Sequence, residues 1–272
     1  VTVILSPDAL PIEAYHSAAP DWFSKTSLRY FQDMGAPWLK LWLDGQVKPS
    51  TPKGVEQGLA LDALLTEGPD ALAARVAFAP PDLDRRTKAG KEWAAANGSK
   101  VILPADDELI LADAAAAVHA STAWPSIEKS QAQHTIRRHS DGLGFGLQSR
   151  PDWIQQDQEI IWDLKKTRDL ARFGSQAIDL GYHLQGAVAR WCLNNTNYRV
   201  FLVAVEWERG ARCRVYEIPS EVLDYADEQM RDTAAEISRR IKEGDWIDRQ
   251  AEAEPLAIPG WMRVAMKGEI PW

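Results

Sequence analysis

Three side chains in one short stretch have the types and spacing for metal-dependent chemistry on a phosphate. The stretch runs Arg150-Pro151-Asp152 and, ten residues further on, Asp163-Leu164-Lys165. Residues 163 and 165 lie two apart on an expected strand, so both side chains leave by one face while Leu164 turns into the core. Asp152 ends the preceding strand, and residues 153–158 suffice for a turn back, so a hairpin would set Asp152 beside Asp163. Two carboxylates that close repel each other unless a cation sits between them. Mg²⁺ suits such a site, being hard, octahedral and usually held by one or two carboxylates plus waters and substrate phosphate. Lys165 adds a positive charge that could orient an attacking water or stabilise charge developing on phosphate. Ile160, Ile161, Trp162 and Leu164 make this strand too apolar for an exposed edge, so charges embedded in it need a reason.

These residues must be positioned by the elements around them. Proline punctuates the first 20 residues, which read as extended. A helix follows, capped by Ser24 or Thr26, with Leu28, Tyr30, Phe31 and Trp38 as its apolar positions. Gly45 to Lys53 reads as a loop, and Val55 to Leu65 and Asp82 to Gly98 as helices. Val101 to Leu103 is a short strand or turn, and Asp106 to Ala120 a helix with acids in its first turn. Near Gln131 the texture changes. Gln131 to Arg138 and Leu143 to Arg150 read as strands joined at Asp141-Gly142, and Glu159 to Lys165 as a third. A long amphipathic helix is expected over Asp169 to Leu193, then strands over Tyr198 to Glu206 and Arg212 to Ile218, then a helix over Ser220 to Lys242. The expected fold class is α/β, a mixed central sheet flanked by helices, preceded by a helical subdomain. The chain reads as one domain of three parts: mainly helical residues 1–127, an α/β core over 128–243, and a Trp-containing tail over 244–272.

The 272 residues are 45% hydrophobic and carry a formal charge of −8, enough apolar material for a real core in an acidic chain. No apolar run approaches the ~20 residues of a membrane span, and no basic-then-apolar leader opens the sequence, so no membrane association and a cytoplasmic location are expected. Cys192 and Cys213 are too few for a disulfide framework or a four-cysteine metal site, and read as core residues. The acid excess argues at first against a nucleic-acid partner. By segment it does not: residues 128–172 carry eight basic and seven acidic side chains, so the acid excess lies elsewhere.

Pro-Asp followed about ten residues later by Asp/Glu-x-Lys resembles the signature of the PD-(D/E)xK nuclease superfamily. Further stretches resemble its RecE-type branch (exodeoxyribonuclease VIII): Tyr15-His16; Gly58 to Leu65; Asp84 to Lys91; Arg150 to Trp153; Asp163 to Thr167; and Gly181-Tyr182-His183-Leu184-Gln185-Gly186-Ala187. They occur in the family's order and span Tyr15 to Ile218. The resemblance implies a restriction-endonuclease-like core and a Mg²⁺-dependent exonuclease, using one or two ions with Mn²⁺ able to substitute. Such an enzyme degrades one strand of linear double-stranded DNA from its 5′ end. It implies a recombination role in a bacterial or phage-infected cell, a homo-oligomeric ring (tetramer or trimer) around DNA ends, and a single-strand annealing protein as partner. Asp152 and Asp163 would be metal ligands, the Leu164 carbonyl a further ligand, and Lys165 the catalytic lysine. Tyr182 and Gln185, three apart on a helix, would face the active site.

Two departures from the family pattern matter. Where its helical Gly-x-x-x-His motif brings a histidine to the metal, this chain has Asp62, an oxygen donor that Mg²⁺ accepts at least as well. Where related nucleases carry a glutamate on the strand before Pro-Asp, this chain reads Gln131-Ala132-Gln133-His134. Either glutamine is a neutral substitute, or the position is unused. Gly142-Leu143-Gly144-Phe145-Gly146 does not follow a strand and open a helix, so it reads as hairpin flexibility and not as a nucleotide loop. For DNA phosphates the first candidates are Arg85, Arg86, Lys88 and Lys91, expected on one helix, with Lys166 and Arg168 near the catalytic strand. Arg29, Arg137 and Arg138 are others.

Overall fold

In a computed structural model, residues 1–17, 21–48, 54–84, 86–248 and 262 are described. The N-terminal half contains strand β1 (Thr2–Leu5), helix α1 (Ile12–His16), β2 (Trp22–Phe23), α2 (Lys25–Leu43), α3 (Val55–Asp62), α4 (Pro69–Arg75), β3 (Val76–Phe78), α5 (Lys88–Ala96), β4 (Val101–Leu103), α6 (Asp106–His119) and α7 (Trp124–Ile127). The remainder is β5 (Gln131–Ala132), β6 (Thr135–Ser140), β7 (Phe145–Ser149), β8 (Trp153–Gln155), β9 (Ile160–Thr167), α8 (Phe173–Asp179), α9 (Tyr182–Leu193), β10 (Arg199–Glu206), β11 (Cys213–Glu217) and α10 (Ser220–Glu243). The fold is α/β with mixed sheets flanked by helices, as expected.

Two sheets, not one, organise the core. The larger has the order β11-β10-β9-β8-β5, with β9 and β10 parallel and the other neighbours antiparallel. The second has the order β1-β6-β7-β2, so two strands of the N-terminal part join the hairpin of the core. The five-stranded sheet is apolar on both faces. Ile154, Ile161, Val200 and Leu202 face α9 and α10, whereas Trp153, Trp162, Leu164, Val203 and Val205 face α3 and α6. Apolar burial on both sides suits a sheet with a parallel central pair. It leaves polar groups on β9 stable only where they find partners.

Several element boundaries differ from expectation. The strand expected over Gln131–Arg138 is two strands in different sheets, parted at Gln133, whose φ is +54°. The hairpin partner of β9 is the short β8, and Asp152 lies where the chain crosses from β7 to β8. The long helix expected over Asp169–Leu193 is α8 and α9, broken at Gly181 with φ +68°. The break is held from α2: Lys25 Nζ donates to the Leu180 carbonyl at 2.8 Å, and Arg29 Nη2 to that of Asp179 at 3.2 Å. These bonds satisfy carbonyls that a helix end leaves open. The expected helix over Asp82–Gly98 starts only at Lys88, where the Thr87 hydroxyl accepts from Gly90 N–H. The helix over Val55–Leu65 becomes π-helical from Ala63 to Glu67, directly after Asp62. Residues 1–17, expected extended, contain strand β1 and helix α1.

Ser24 is the N-cap of α2, its backbone N–H donating to Ser27 Oγ at 3.1 Å. That helix kinks at Gly35 (φ +80°), where the Asp248 carboxylate accepts the Ala36 N–H at 3.0 Å. The loop expected at Gly45–Lys53 is a turn at its start and lies outside the described residues from 49 on, as does most of the tail. The glycines after Asp141 are not simply flexible. Gly144 takes φ +79° in the turn, and Gly146 lies within β7, where a Cβ would overlap the Trp22 ring on β2. Both cysteines are free, Cys192 buried and Cys213 half-buried. Among the described residues no helix is long and apolar enough to cross a membrane.

Candidate active site

Asp163 and Lys165 share the α9 face of β9, as their spacing requires. Asp163 is 4% exposed, and Lys165 Nζ forms a close ion pair with its Oδ2. Gln185, in the first turns of α9, donates from Nε2 to Asp163 Oδ1 at 2.9 Å. Tyr182, one turn earlier, presents its ring to the Lys165 ammonium, 4.8 Å from the centroid, a cation–π contact. The break at Gly181 makes this possible by starting α9 where Tyr182 and Gln185 face β9.

Asp152 reaches the same place from the strand edge. β8 pairs with β9 only as far as Trp162, so Leu164 has no strand neighbour on that side. Its N–H is taken instead by Asp152 Oδ2 at 2.5 Å. The N–H and C=O of a strand residue face the same neighbour, so the Leu164 carbonyl faces the same edge.

Asp62 joins from α3, at the point where the helix widens into its π turn. Such turns cluster at functional sites. Gln133 bridges the two acids: its Nε2 lies 2.9 Å from Asp62 Oδ1 and 3.4 Å from Asp152 Oδ1. The left-handed backbone at Gln133 is costly for a residue with a side chain, and it is where the chain changes sheets. Of the two glutamines left open by the sequence, Gln133 lies in the site. Gln131 instead accepts from Gln156 Nε2 at 2.6 Å.

The electrostatics follow from three acids and one lysine sharing a buried place. Burial, with like charge on Asp62 and Asp163, holds the Asp152 carboxyl well above the usual carboxylate range. Burial and Glu67 push Asp62 up to about 6. Burial acts to lower Lys165, but Asp163 and Asp152 outweigh it and the ammonium is held above its ordinary value. Burial raises the Tyr182 hydroxyl.

A cavity of about 250 Å³ opens beside the acids. Asp62, Asp152, Gln133 and Gln185 line it, together with Ser24, Lys25, Thr26 and Arg150 among others. Lys25 was not singled out from the sequence, since it belongs to no motif and only the approach of α2 places it here; Arg150 stands in the Arg-Pro-Asp stretch but was given no role there.

Among the described residues no group of three or more His, Cys, Asp or Glu is spaced to hold a metal as it stands. The carboxylate oxygens face the Lys165 ammonium, the Gln133 amide and the Leu164 N–H instead. The donor set nevertheless fits Mg²⁺, which takes oxygen ligands and needs only one or two carboxylates when waters and substrate complete the shell.

The other expected DNA contacts do not gather here. Arg86 pairs with Asp84 at 3.0 Å, and Lys88 lies 3.8 Å from Glu92. Because the helix begins at Lys88, Arg86 is not on it with Lys88 and Lys91, and Arg85 lies outside the described residues. No residue of α5 lines the cavity. Lys166 points to the opposite side of β9, donating to Gln57 Oε1 on α3 at 2.9 Å, and Arg168 is exposed just past the strand. Arg137 bonds Gln148 and lies over the Trp22 ring, and Arg138 bonds the Trp191 carbonyl.

With this geometry in place, comparison with known proteins gives one informative likeness. A solved structure from Eubacterium rectale, of a protein named as an exonuclease, superposes with a TM-score of 0.63 over 96% of this chain and 99% of its own, at 13% identity. The two chains share a fold. A phage-related exonuclease from Haemophilus somnus 129PT aligns at a TM-score of 0.39 and 13% identity, over 81% of this chain and 83% of its own. No family model and no curated protein matches the sequence.

Proposed function

We propose that this protein is a Mg²⁺-dependent exonuclease that hydrolyses one strand of linear double-stranded DNA in the 5′-to-3′ direction, serving recombination or repair. The observation that carries this reading is the convergence of Asp152, Asp163 and Lys165, with Gln185 on Asp163, in a fold shared with a protein named as an exonuclease.

Asp152 and Asp163, with Asp62 and the Leu164 carbonyl, would hold the metal. Bound Mg²⁺ would supply Lewis acidity and lower the pKa of a coordinated water. The protein's own residues do the positioning. Gln185 fixes the Asp163 carboxylate by one oxygen, leaving the other to face the cation and Lys165. Tyr182 holds the Lys165 ammonium at the site and keeps it charged beside the incoming phosphate. Lys165 can then orient a water for in-line attack or stabilise charge on the phosphate oxygens. The 3′ oxygen departs as the P–O bond breaks. The substrate partner is a double-stranded DNA end. A ring of three or four copies would retain the duplex, and a single-strand annealing protein would receive the exposed strand.

The test is digestion of end-labelled linear duplex with Mg²⁺ by the wild type, Asp163→Ala and Lys165→Ala. Loss of cleavage in both variants supports the assignment, and equal activity in all three overturns it. Closed circular DNA separates an exonuclease, which leaves it intact, from an endonuclease of the same superfamily. Metal binding without turnover would instead indicate a silent DNA-binding module on this fold.

A further inference from the structure

We propose that Lys25 is a second catalytic cation, contacting the phosphate under attack within the cavity that Asp62 and Asp152 also line. This rests on the nuclease reading and deepens it. Lys25 opens α2, far in sequence from the acids, yet it lines the cavity with Asp62, Asp152 and Gln185. Its Nζ donates to the Leu180 carbonyl at 2.8 Å and lies 5.9 Å from the centroid of the Tyr182 ring, the ring that also carries Lys165. Among the described residues no carboxylate lies within ion-pair distance of it, whereas Lys165 is paired with Asp163.

A half-buried ammonium with no described carboxylate within ion-pair distance, in a cavity that Asp62 and Asp152 also line, is a place for an anion that the ammonium and a carboxylate-held cation can grip together. A phosphodiester meets that description. In about 250 Å³, a phosphate drawn to the carboxylates through a cation brings its remaining oxygens among the other lining residues, which include Lys25, Ser24, Thr26 and Arg150. Arg150 is committed to the fold, donating to Thr135 Oγ1 at 2.8 Å and to the Leu10 carbonyl. Lys25 has one carbonyl for three donors, so two N–H groups remain for the ligand. Burial, followed by the neighbouring Lys165 and Arg29, lowers its pKa to about 8 and outweighs the opposing pull of Asp163 and Asp33.

The test compares wild type, Lys25→Met, Lys25→Gln and Lys25→Arg in two measurements. The first is the single-turnover cleavage rate at saturating duplex and Mg²⁺. The second is binding of thymidine 5′-monophosphate in EDTA, which requires no turnover. Methionine keeps most of the stem but removes both the charge and the bond to the Leu180 carbonyl; Lys25→Gln, which can still donate to that carbonyl without the charge, should show the same loss of rate, and thermal melting confirms that each variant folds. In Lys25→Met the saturated rate should fall about 100-fold and nucleotide binding about 10-fold, an electrostatic contribution of the size seen when one charge-stabilising donor is removed. Arginine should recover most of both. A methionine variant with the wild-type saturated rate overturns the proposal, as does one in which only the DNA concentration for half-saturation rises. If the wild type cleaves no DNA, the nuclease reading fails, and nucleotide binding decides alone. Weaker binding by Lys25→Met than by wild type then keeps Lys25 as a phosphate ligand, and equal or absent binding overturns it.

Discussion

Gln185 donates its side-chain amide to Asp163 Oδ1 across 2.9 Å, tying the start of α9 to the middle of β9. The bond leaves Asp163 one oxygen for Lys165 and for a cation. Replacing Gln185 by alanine frees the carboxylate to rotate and empties its partner's place. Cleavage should fall about 10- to 100-fold, in the range of a lost supporting partner of a metal ligand. Steady-state kinetics on linear duplex, with Mg²⁺ titrated, would show the loss partly relieved at high metal. An unchanged rate would remove Gln185 from the site.

The Asp163–Lys165 pair predicts opposite outcomes for stability and activity. Either single substitution to alanine leaves a buried charge without its partner, which costs about 3–5 kcal/mol. The double variant Asp163→Asn with Lys165→Met removes both charges and should recover much of that loss in urea unfolding. It should nonetheless be inactive, separating folding from chemistry.

Asp62 predicts the pH dependence of the metal-free protein. Its folded carboxyl holds a proton up to about pH 6, against 3.8 as the ordinary value. Between those values the folded state binds more protons than the unfolded chain, so stability falls as pH rises through about 4 to 6. Asp62→Asn removes its share of that slope, leaving the contribution of the raised Asp152, and should stabilise the metal-free protein at pH 7 by about 1–2 kcal/mol. Melting curves across this range check it, and a wild-type curve that rises through the window would contradict it.

Gln133→Glu would place a further carboxylate between Asp62 and Asp152. Without metal, like-charge repulsion should lower the melting temperature by several degrees. With Mg²⁺ an added oxygen anion should tighten binding several-fold by calorimetry. Unchanged metal affinity would mean that Gln133 does not face the cation.

Gly146→Ala tests the contact between β7 and its edge neighbour β2 in the hairpin sheet. A methyl group there overlaps the Trp22 ring, so β2 must separate from β7. A loss of about 1–3 kcal/mol in urea unfolding is expected, with altered Trp22 exposure.

What the sequence determined by itself was local. The period of a strand put Asp163 and Lys165 on one face and Leu164 on the other, whatever the strand was packed against. The spacing of Tyr182 and Gln185 put them on one helix face. Ser24 as the N-cap of α2 and the turn after Asp141 follow from backbone preferences carried by the residues themselves. The tertiary structure decided which distant residues meet. Asp62 and Gln133 are 71 positions apart and touch only because Gln133 takes a left-handed backbone as the chain changes sheets. The amphipathic pattern from Asp169 to Leu193 carried no sign of the break at Gly181, because the bonds that hold it come from Lys25 and Arg29 more than 150 residues away. Short-range sterics act within a few residues and can be read from their order. The pairing of buried polar groups has no sequence period, so the partners of these acids were set by packing alone.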